Sequence, residues 1–218
     1  MRKPRICATI VDYDIEAIKR VAHLVDLYEV RLDLVGPGWV DLVKMLNRPW
    51  IACNRSPEEG GKGDPDEVKR LEELIWAVGS GACIVDIEYR SKNLKDAIAL
   101  IRPRAGCLIS YHDLAGTPSY ETLMGIINGQ LNAGADICKV VTTALEFEDN
   151  LKLLKLINEF AGKKIIAFAM GDSGRLSRIL CPLAGGYLTY VCLKRGKESA
   201  EGQLTVLEMN EIYSCLKR

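Results

Sequence analysis

The sequence carries no excess of charge of either sign. Its 218 residues contain 29 lysines and arginines and 29 aspartates and glutamates. Nucleic acids and anionic membranes are usually bound through a basic surface, so we expect neither partner and favour a small molecule. Long apolar runs are missing as well. The amino-terminal stretch is broken by Asp12 and Asp14, which leaves it too short for a signal-peptide core or a membrane span. We therefore expect a cytoplasmic protein.

Cysteine and histidine are present without the spacing that metal sites need. The eight cysteines include no C-x-x-C pair, and the two histidines are not clustered with them. A zinc site is therefore not expected. Most of the cysteines fall in apolar, strand-like runs, where a reduced thiol packs as a small hydrophobic group. A strand–G-x-G-x-x-G–helix fingerprint is also missing, which counts against an open doubly wound sheet. We expect no metal and no cofactor.

Buried, strand-like runs alternate with amphipathic helical patterns along the whole chain. No break in composition divides it, although the length alone would also allow two small domains. Eight strands and eight helices predict a single (β/α)₈ barrel over residues 1–218, with an open doubly wound sheet as the structural alternative. The predicted strands are 5–11, 28–34, 49–53, 83–87, 107–111, 137–141, 165–169 and 187–191. Among the predicted helices are 14–27, 40–46, 64–78, 94–101, 147–160 and 204–216.

The segment 107–143 reads as strand, Gly-Thr-Pro turn, helix and strand. Such a βαβ unit places its two strands in parallel, side by side. His112 lies at the carboxyl end of the first strand and Lys139 within the second. Burial disfavours an ammonium, so we expect a lowered pKa for Lys139 and an amine able to form an imine with a carbonyl, with His112 moving a proton on the adjacent carbon. Two alternatives remain: an ion-paired or snorkelling lysine, and a packing histidine.

Polar side chains follow the other predicted strands, and barrel active sites collect at the carboxyl ends of strands. Three arginines there suggest a substrate carboxylate. Each residue also has a purely structural interpretation. The group around strand two could be internal ion pairs, the loop after strand three could be solvated, Arg178 could pair with Asp172, and Met170 could pack. The candidates are Glu29, Arg31, Arg55, Glu59, Met170, Arg178, Ser199 and Gln203, with Asp86 and Glu88 expected to support reacting groups and His23 expected on the surface.

The order of short motifs along the whole chain resembles type I 3-dehydroquinate dehydratase. The motifs are V-R-L-D, N-R-S-x-E-E-G-G, D-I-E-Y, S-Y-H-D, K-V-V-T and S-A-E-G-Q. The resemblance implies a (β/α)₈ barrel that converts 3-dehydroquinate to 3-dehydroshikimate and water in the shikimate pathway, without metal or nucleotide. Members are often dimers, so a homodimer is expected. Many bacterial members have an amino-terminal strand pair, whereas this chain begins almost at strand one.

The same resemblance implies roles for individual residues. Lys139 would form the imine, His112 would move the proton, and Glu59 would orient that histidine and raise its pKa. Arg178 would hold the substrate carboxylate, while loops 54–65 and 194–202 would exclude water. The hydroxyl-binding and lid residues would be Glu29, Arg31, Arg55, Ser199 and Gln203, completed by Thr9 and Met170. Two other functions stay open: a class I aldolase, although Gly171-Asp172-Ser173-Gly174 is a poor phosphate cradle, and a non-catalytic binding barrel.

Overall fold

The computed structural model describes residues 3–216 and shows eight parallel strands alternating with helices. The prediction of a (β/α)₈ barrel is confirmed. The strands are Ile6–Ile10 (β1), Leu27–Arg31 (β2), Trp50–Cys53 (β3), Ile84–Glu88 (β4), Gly106–His112 (β5), Ile137–Thr143 (β6), Ile165–Met170 (β7) and Thr189–Cys192 (β8). The helices are Ile15–Val21 (α1), Leu32–Val35 (α2), Trp39–Val43 (α3), Glu67–Gly79 (α4), Leu94–Ile101 (α5), Tyr120–Ala133 (α6), Glu148–Glu159 (α7), Arg175–Leu180 (α8) and Val206–Cys215 (α9).

From β1 to β7 each strand pairs with the next strand in the chain, and β1 also pairs with β8. The remaining gap lies between β7 and β8. There the Tyr187 N–H, just ahead of β8, donates to the Ile165 carbonyl at 2.7 Å. The sheet therefore curls into a nearly closed barrel rather than lying open, so the doubly wound alternative is wrong.

Apolar side chains fill the half of the barrel interior that lies toward the amino ends of the strands. Side chains alternate across a strand, so positions two or four residues before the cavity-lining ones share the inward face. These positions form one buried cluster that includes Cys7, Leu27, Ile51, Leu108, Ile137 and Ile166. Polar groups are confined to the layers above it, at the carboxyl ends of the strands. No helix within residues 3–216 is long and apolar enough to cross a membrane.

The end of β2 differs from the prediction. The alternation over 28–34 suggests one strand, but pairing with β3 stops at Arg31 and the chain enters the short helix α2. The Asp33 carboxylate turns back onto the Arg31 guanidinium, which donates to it at 2.8 and 2.7 Å. The charge of Asp33 therefore belongs to a local ion pair outside the sheet, although in the sequence it continues the alternation of the strand. Helix α1 likewise ends at Val21, well before the predicted residue 27.

Helix α4 begins three residues later than predicted. Asp66 is its N-cap, and the Asp66 side chain accepts from the Val68 N–H at 2.9 Å. Pro65 therefore precedes the cap instead of occupying the first turn. Capping by a carboxylate satisfies one of the N–H groups that a helix start leaves without a partner.

Candidate active site

A cavity of about 220 Å³ opens at the carboxyl ends of the strands. Every residue of the predicted site lines it: Thr9, Glu29, Arg31, Arg55, Glu59, His112, Lys139, Met170, Arg178, Ser199 and Gln203. Asp86 and Glu88 lie behind that wall, in contact with residues that do line it. His23 is exposed on the surface, as predicted, and does not line the cavity.

Lys139 lies at the bottom of the cavity, inside an ion-pair network. Its Nζ is 2.9 Å from Asp86 Oδ2 and 3.5 Å from Glu29 Oε1. The same atom lies 4.3 Å from the centre of the Tyr190 ring, a cation–π distance. The side chain is buried, so the alternative of a lysine snorkelling to solvent is wrong.

The predicted lowering of the Lys139 pKa is also wrong. Burial lowers it, but the carboxylates of Asp86 and Glu29 outweigh burial, and the pKa ends above its ordinary value. Asp86 responds in the opposite direction: burial raises its pKa, while Arg55 and Lys139 pull the pKa well below the usual range. The resting lysine is therefore an ammonium, and it must give up a proton before it can act as a nucleophile.

His112 stands above Lys139 on the inward face of the barrel. Ser110 pairs with Lys139 and His112 with Val141, so Lys139 and His112 occupy successive inward positions of neighbouring strands. His112 Nδ1 is 2.7 Å from Glu59 Oε2. When Glu59 is ionised, Nδ1 carries the ring proton and donates it to that carboxylate. Nε2 is then a free base facing the cavity.

A raised pKa was expected for His112, but the pKa ends below its ordinary value. Burial lowers the pKa of His112 well below 6.5, and the positive charges of Arg55 and Lys139 lower it further. The pKa of Glu59 is raised by burial to about 7, although Arg55 opposes the rise. Near neutral pH the pair therefore consists of a neutral imidazole beside a carboxylate that is close to its own titration point.

Arg55 connects the loop after β3 to β4 and β5. Its guanidinium lies 2.7 Å from Asp86 and 3.1 Å from Glu88, and it donates to the Ser110 hydroxyl at 2.8 Å. The Ser56 N–H also donates to Glu88, at 3.0 Å. This part of the loop is buried, so its interpretation as a solvated segment is wrong. Because Arg55 is already surrounded by acceptors, it acts mainly as a scaffold for the carboxylates around it.

The glycines of N-R-S-x-E-E-G-G allow that loop to fold tightly onto itself. A Cβ on Gly61 would lie 2.0 Å from the Arg55 carbonyl oxygen, so no larger residue fits. Gly60 adopts a left-handed conformation, with φ of 82°. The tight turn brings Glu59 inward toward His112. The Lys62 N–H donates to the Asp33 carboxylate at 3.0 Å and joins the loop to helix α2.

Arg178 differs from Arg55, because it has no carboxylate within ion-pair distance among residues 3–216. Arg175, not Arg178, pairs with Asp172, at 2.8 Å. The Arg178 guanidinium packs 4.6 Å over the Phe168 ring, and its Nη2 donates to the Glu201 carbonyl at 3.2 Å. Burial lowers the pKa of Arg178 to about 10. A buried cation without a counter-ion, facing a cavity, is an arrangement suited to an anionic ligand.

A chain of hydrogen bonds runs from the loop after β8 to the lysine. The Ser199 N–H donates to Gln203 Oε1 at 2.8 Å, and Gln203 Nε2 donates to the Thr9 hydroxyl at 3.3 Å. Thr9 in turn donates to Glu29 Oε2 at 3.3 Å, while the other oxygen of Glu29 lies beside Lys139. The predicted lid residues and the predicted nucleophile thus belong to one network.

One group of possible metal ligands lies in this network. Glu29, Cys53 and Asp86 have ligand atoms within 4.8 Å of one another. Lys139 and Arg55 already neutralise the two carboxylates, and burial raises the pKa of the Cys53 thiol well above its ordinary value. The donor set therefore fits an ion-pair network better than a cation site.

Several cavity-lining residues escaped the sequence analysis. They are apolar or aromatic, and a strand pattern alone does not separate a cavity wall from ordinary core. Tyr190 supports the lysine and Phe168 supports Arg178. The others are Cys53, Gly60, Leu114, Val141 and Ala200. Met170 lines the cavity as predicted, at the end of β7.

Comparison with known proteins agrees with this geometry. The sequence model of the Type I 3-dehydroquinase family matches residues 6–218. The chain belongs to the type I 3-dehydroquinase family. A 3-dehydroquinate dehydratase of Dehalococcoides mccartyi is 43% identical over 213 residues, covering 98% of this chain and 96% of that protein. A 3-dehydroquinate dehydratase of Methanocaldococcus jannaschii is 36% identical, covering 97% and 98%.

Solved structures of type I 3-dehydroquinases and their relatives share the barrel. The crystal structure of 3-dehydroquinate dehydratase from Geobacillus kaustophilus aligns with a TM-score of 0.86 at 26% identity, covering 99% of this chain and 92% of that one. The enzyme from Aquifex aeolicus aligns with a TM-score of 0.79 at 26% identity, covering 98% and 99%. Family membership favours the dehydratase hypothesis over the aldolase.

Proposed function

We propose that this chain removes water from 3-dehydroquinate through an imine formed by Lys139. Membership of the type I 3-dehydroquinase family gives the reaction itself, the dehydration of 3-dehydroquinate in the shikimate pathway. The imine and the role of each residue are the proposal. The observation that carries it is the position of Lys139 and His112 on the inward face of neighbouring strands, lining one cavity.

The chemistry requires an electron sink beside the carbon that loses its proton. Eliminating a hydroxyl β to a ketone passes through a carbanion, and a protonated imine stabilises that carbanion far better than the ketone does. Lys139 first transfers a proton to a neighbouring carboxylate or to water. The free amine then attacks the carbonyl carbon, and the carbonyl oxygen leaves as water. Hydrolysis of the imine at the end restores both the ketone and the amine.

His112 moves the proton that the elimination needs. Nε2 takes a proton from the carbon next to the imine, and the same proton later goes to the departing hydroxyl, which leaves as water. No net proton is consumed. Glu59 keeps Nδ1 protonated, so that Nε2 remains the basic nitrogen. A correctly placed base contributes about 10²–10⁴-fold to the rate.

Arg178 binds the substrate carboxylate in this proposal. Its guanidinium is buried, faces the cavity and lacks an ion-pair partner among the described residues. A planar guanidinium can donate two parallel hydrogen bonds to a carboxylate. Arg31 and Arg55 are already paired with Asp33 and Asp86, so they hold the shape of the site and reach only the substrate hydroxyls.

Thr9, Glu29, Ser199 and Gln203 complete the pocket around those hydroxyls. Their hydrogen-bond chain joins the loop over residues 194–202 to the floor of the cavity. When that loop closes, it excludes water and protects the imine from early hydrolysis. Met170 packs against the carbon ring of the substrate.

Two further features belong to the same proposal. The cysteines of this chain are free thiols, mostly buried, which favours a reducing compartment such as the cytoplasm. The homodimer expected from the family resemblance also stays a proposal, and sedimentation of the purified protein at several concentrations tests it.

Formation of the conjugated enone, followed by its ultraviolet absorbance, tests the function. Wild-type protein mixed with 3-dehydroquinate should produce the enone, and Lys139→Met should reduce the rate by at least about 10⁴-fold with the fold retained. Lys69→Met, an exposed lysine of α4, is the matched control and should be fully active. Normal turnover by Lys139→Met would remove the imine mechanism. Binding of 3-dehydroquinate without turnover by the wild type would indicate a non-catalytic barrel.

A further inference from the structure

Arg90, just after β4, contacts the back of the His112–Glu59 pair. Its Nη1 donates to the His112 carbonyl oxygen at 3.3 Å and lies 3.9 Å from Glu59 Oε1. The guanidinium carbon stacks 4.3 Å over the ring of Tyr111, the residue before His112. The arginine therefore touches His112, its chain neighbour and its carboxylate partner, without lining the active-site cavity.

The two oxygens of the Glu59 carboxylate are in very different environments. Oε2 binds His112 at 2.7 Å and lies 3.7 Å from Arg55 Nη1. Oε1 is buried and has no hydrogen-bond partner among the described residues. A buried, ionised oxygen without a partner is costly, and Arg90 is the cation that the structure places next to it.

The other charges around Glu59 do not remove this cost. Arg55 is shared with Asp86 and Glu88, so one guanidinium serves three carboxylates. Every charged or titratable group close to Glu59 comes from the loop after β3, from β4 with the residues that follow it, or from β5. These groups are Arg55, Asp86, Glu88, Arg90, Tyr111 and His112.

We propose that Arg90 is a positioning residue that keeps Glu59 ionised and thereby keeps Nε2 of His112 available as the base. This inference rests on the proposed function, because it concerns the same proton transfer. Without Arg90, Glu59 would take up a proton at a higher pH. A protonated Glu59 donates to Nδ1 instead of accepting from it, which moves the ring proton to Nε2 and removes the base.

The pH dependence of turnover tests the proposal. Glu59 already titrates at about 7 because burial raises its pKa, and removing a nearby cation raises the pKa further. In Arg90→Met the acid limb of the kcat profile should move upward by about 0.5–1 pH unit, with turnover near normal at high pH. Arg90→Lys should restore most of the wild-type profile. The Arg90 side chain is 51% exposed, so neither variant should disturb folding.

The matched control is Arg104→Met, an exposed arginine at the opposite, amino-terminal mouth of the barrel. If Arg90→Met and Arg104→Met gave the same acid limb, the proposal would be overturned. A uniform loss of kcat in Arg90→Met at every pH, with no shift of the limb, would also overturn it, because that pattern indicates a purely structural role.

A second measurement does not depend on turnover. The chain has only two histidines, so ¹⁵N spectra of ring-labelled protein contain two imidazoles, and His23→Gln assigns them. Slightly above the pKa of Glu59, at about pH 7.5, wild-type His112 should carry its ring proton mainly on Nδ1, and Arg90→Met should shift that proton toward Nε2. An unchanged tautomer in Arg90→Met contradicts the proposal. A wild type that binds but does not convert 3-dehydroquinate contradicts the proposed function alone and leaves this readout intact.

Discussion

The Lys139 ammonium and the Asp86 carboxylate are paired at 2.9 Å beneath the cavity. The residue proposed to form the imine therefore rests in its charged form, stabilised by a buried partner. Glu29 lies 3.5 Å away on the other side and provides a second carboxylate. The proposed mechanism therefore needs a route by which the ammonium loses its proton, and substitutions at these carboxylates should change the pH dependence of imine formation.

Asp86→Asn should lower the pKa of Lys139, because the nearest of its two carboxylates is removed. Imine formation, measured as borohydride trapping with 3-dehydroquinate, should then extend to lower pH than in the wild type. The same change should reduce the free energy of unfolding by about 1–3 kcal/mol, since Arg55 and Lys139 lose a shared buried partner. An unchanged pH dependence of trapping would show that Asp86 does not control the lysine.

Glu59→Gln should remove the acid limb of the kcat profile near pH 7. Gln can still accept a hydrogen bond from Nδ1 but does not titrate. Burial and the charges of Arg55 and Lys139 hold the pKa of His112 well below 6.5, so the imidazole stays neutral near pH 7. We expect kcat at pH 8 to fall by about 10–100-fold, because the neutral amide stabilises a developing imidazolium less well. Persistence of a limb near pH 7 in this variant would assign that titration to another group.

The same substitution should stabilise the protein at neutral and alkaline pH. The pKa of Glu59 rises from 4.5 to about 7 on folding. Its contribution to stability is therefore complete below pH 4.5 and is lost as the pH rises through 7. Above pH 7 Glu59→Gln should gain roughly 1–3 kcal/mol in free energy of unfolding, measured by urea denaturation, and no gain should appear at pH 4.5. A loss of stability at pH 8 would contradict this sign.

Arg178→Met should separate ligand binding from folding. Removing a buried, unpaired guanidinium should leave the melting temperature equal or higher. The KM for 3-dehydroquinate should rise by about 10–100-fold, as expected for the loss of a charge-assisted, bidentate contact. Arg175→Met, the exposed neighbour paired with Asp172, is the control and should change neither value. Equal affinity of the wild type for a carboxylate ligand and its methyl ester would refute this role of Arg178.

Thr9→Val should interrupt the hydrogen bonds between Gln203 and Glu29. The expected cost is one buried hydrogen bond, or about a 3–10-fold decrease in kcat/KM. Thr122→Val on α6 changes a threonine outside the cavity and serves as the control. If the two variants had the same kcat/KM, the connection from the loop after β8 to the cavity floor would have no role in catalysis.

The sequence predicts the fold well where periodicity reflects burial. The alternation of buried runs with helical patterns places all eight strands, because parallel strands are covered on both faces. The error at residues 28–34 has a local cause. Asp33 continues a polar–apolar alternation after the sheet has ended, and only its contact with Arg31 shows that the chain has turned.

The sequence predicts where the site lies, but not the ion pairs and pKa directions of its residues. A barrel brings the ends of its strands together, so polar residues there are expected to meet. The pKa direction of Lys139 depends on carboxylates far away in the chain, because Asp86 contacts it across 53 residues and Glu29 across 110. The pKa of His112 is lowered by burial and by the similarly distant Arg55. Arg178 is likewise distinguished from the paired arginines only by contacts that no spacing reveals.

Borohydride trapping in the His112→Ala variant tests the central claim most directly. This variant lacks the base, so 3-dehydroquinate should form the imine and stop there. Reduction followed by peptide mapping should then place one adduct on Lys139, with the mass of the substrate that still carries its hydroxyl. An adduct on another lysine, or no adduct at a substrate concentration that saturates binding, would contradict the account.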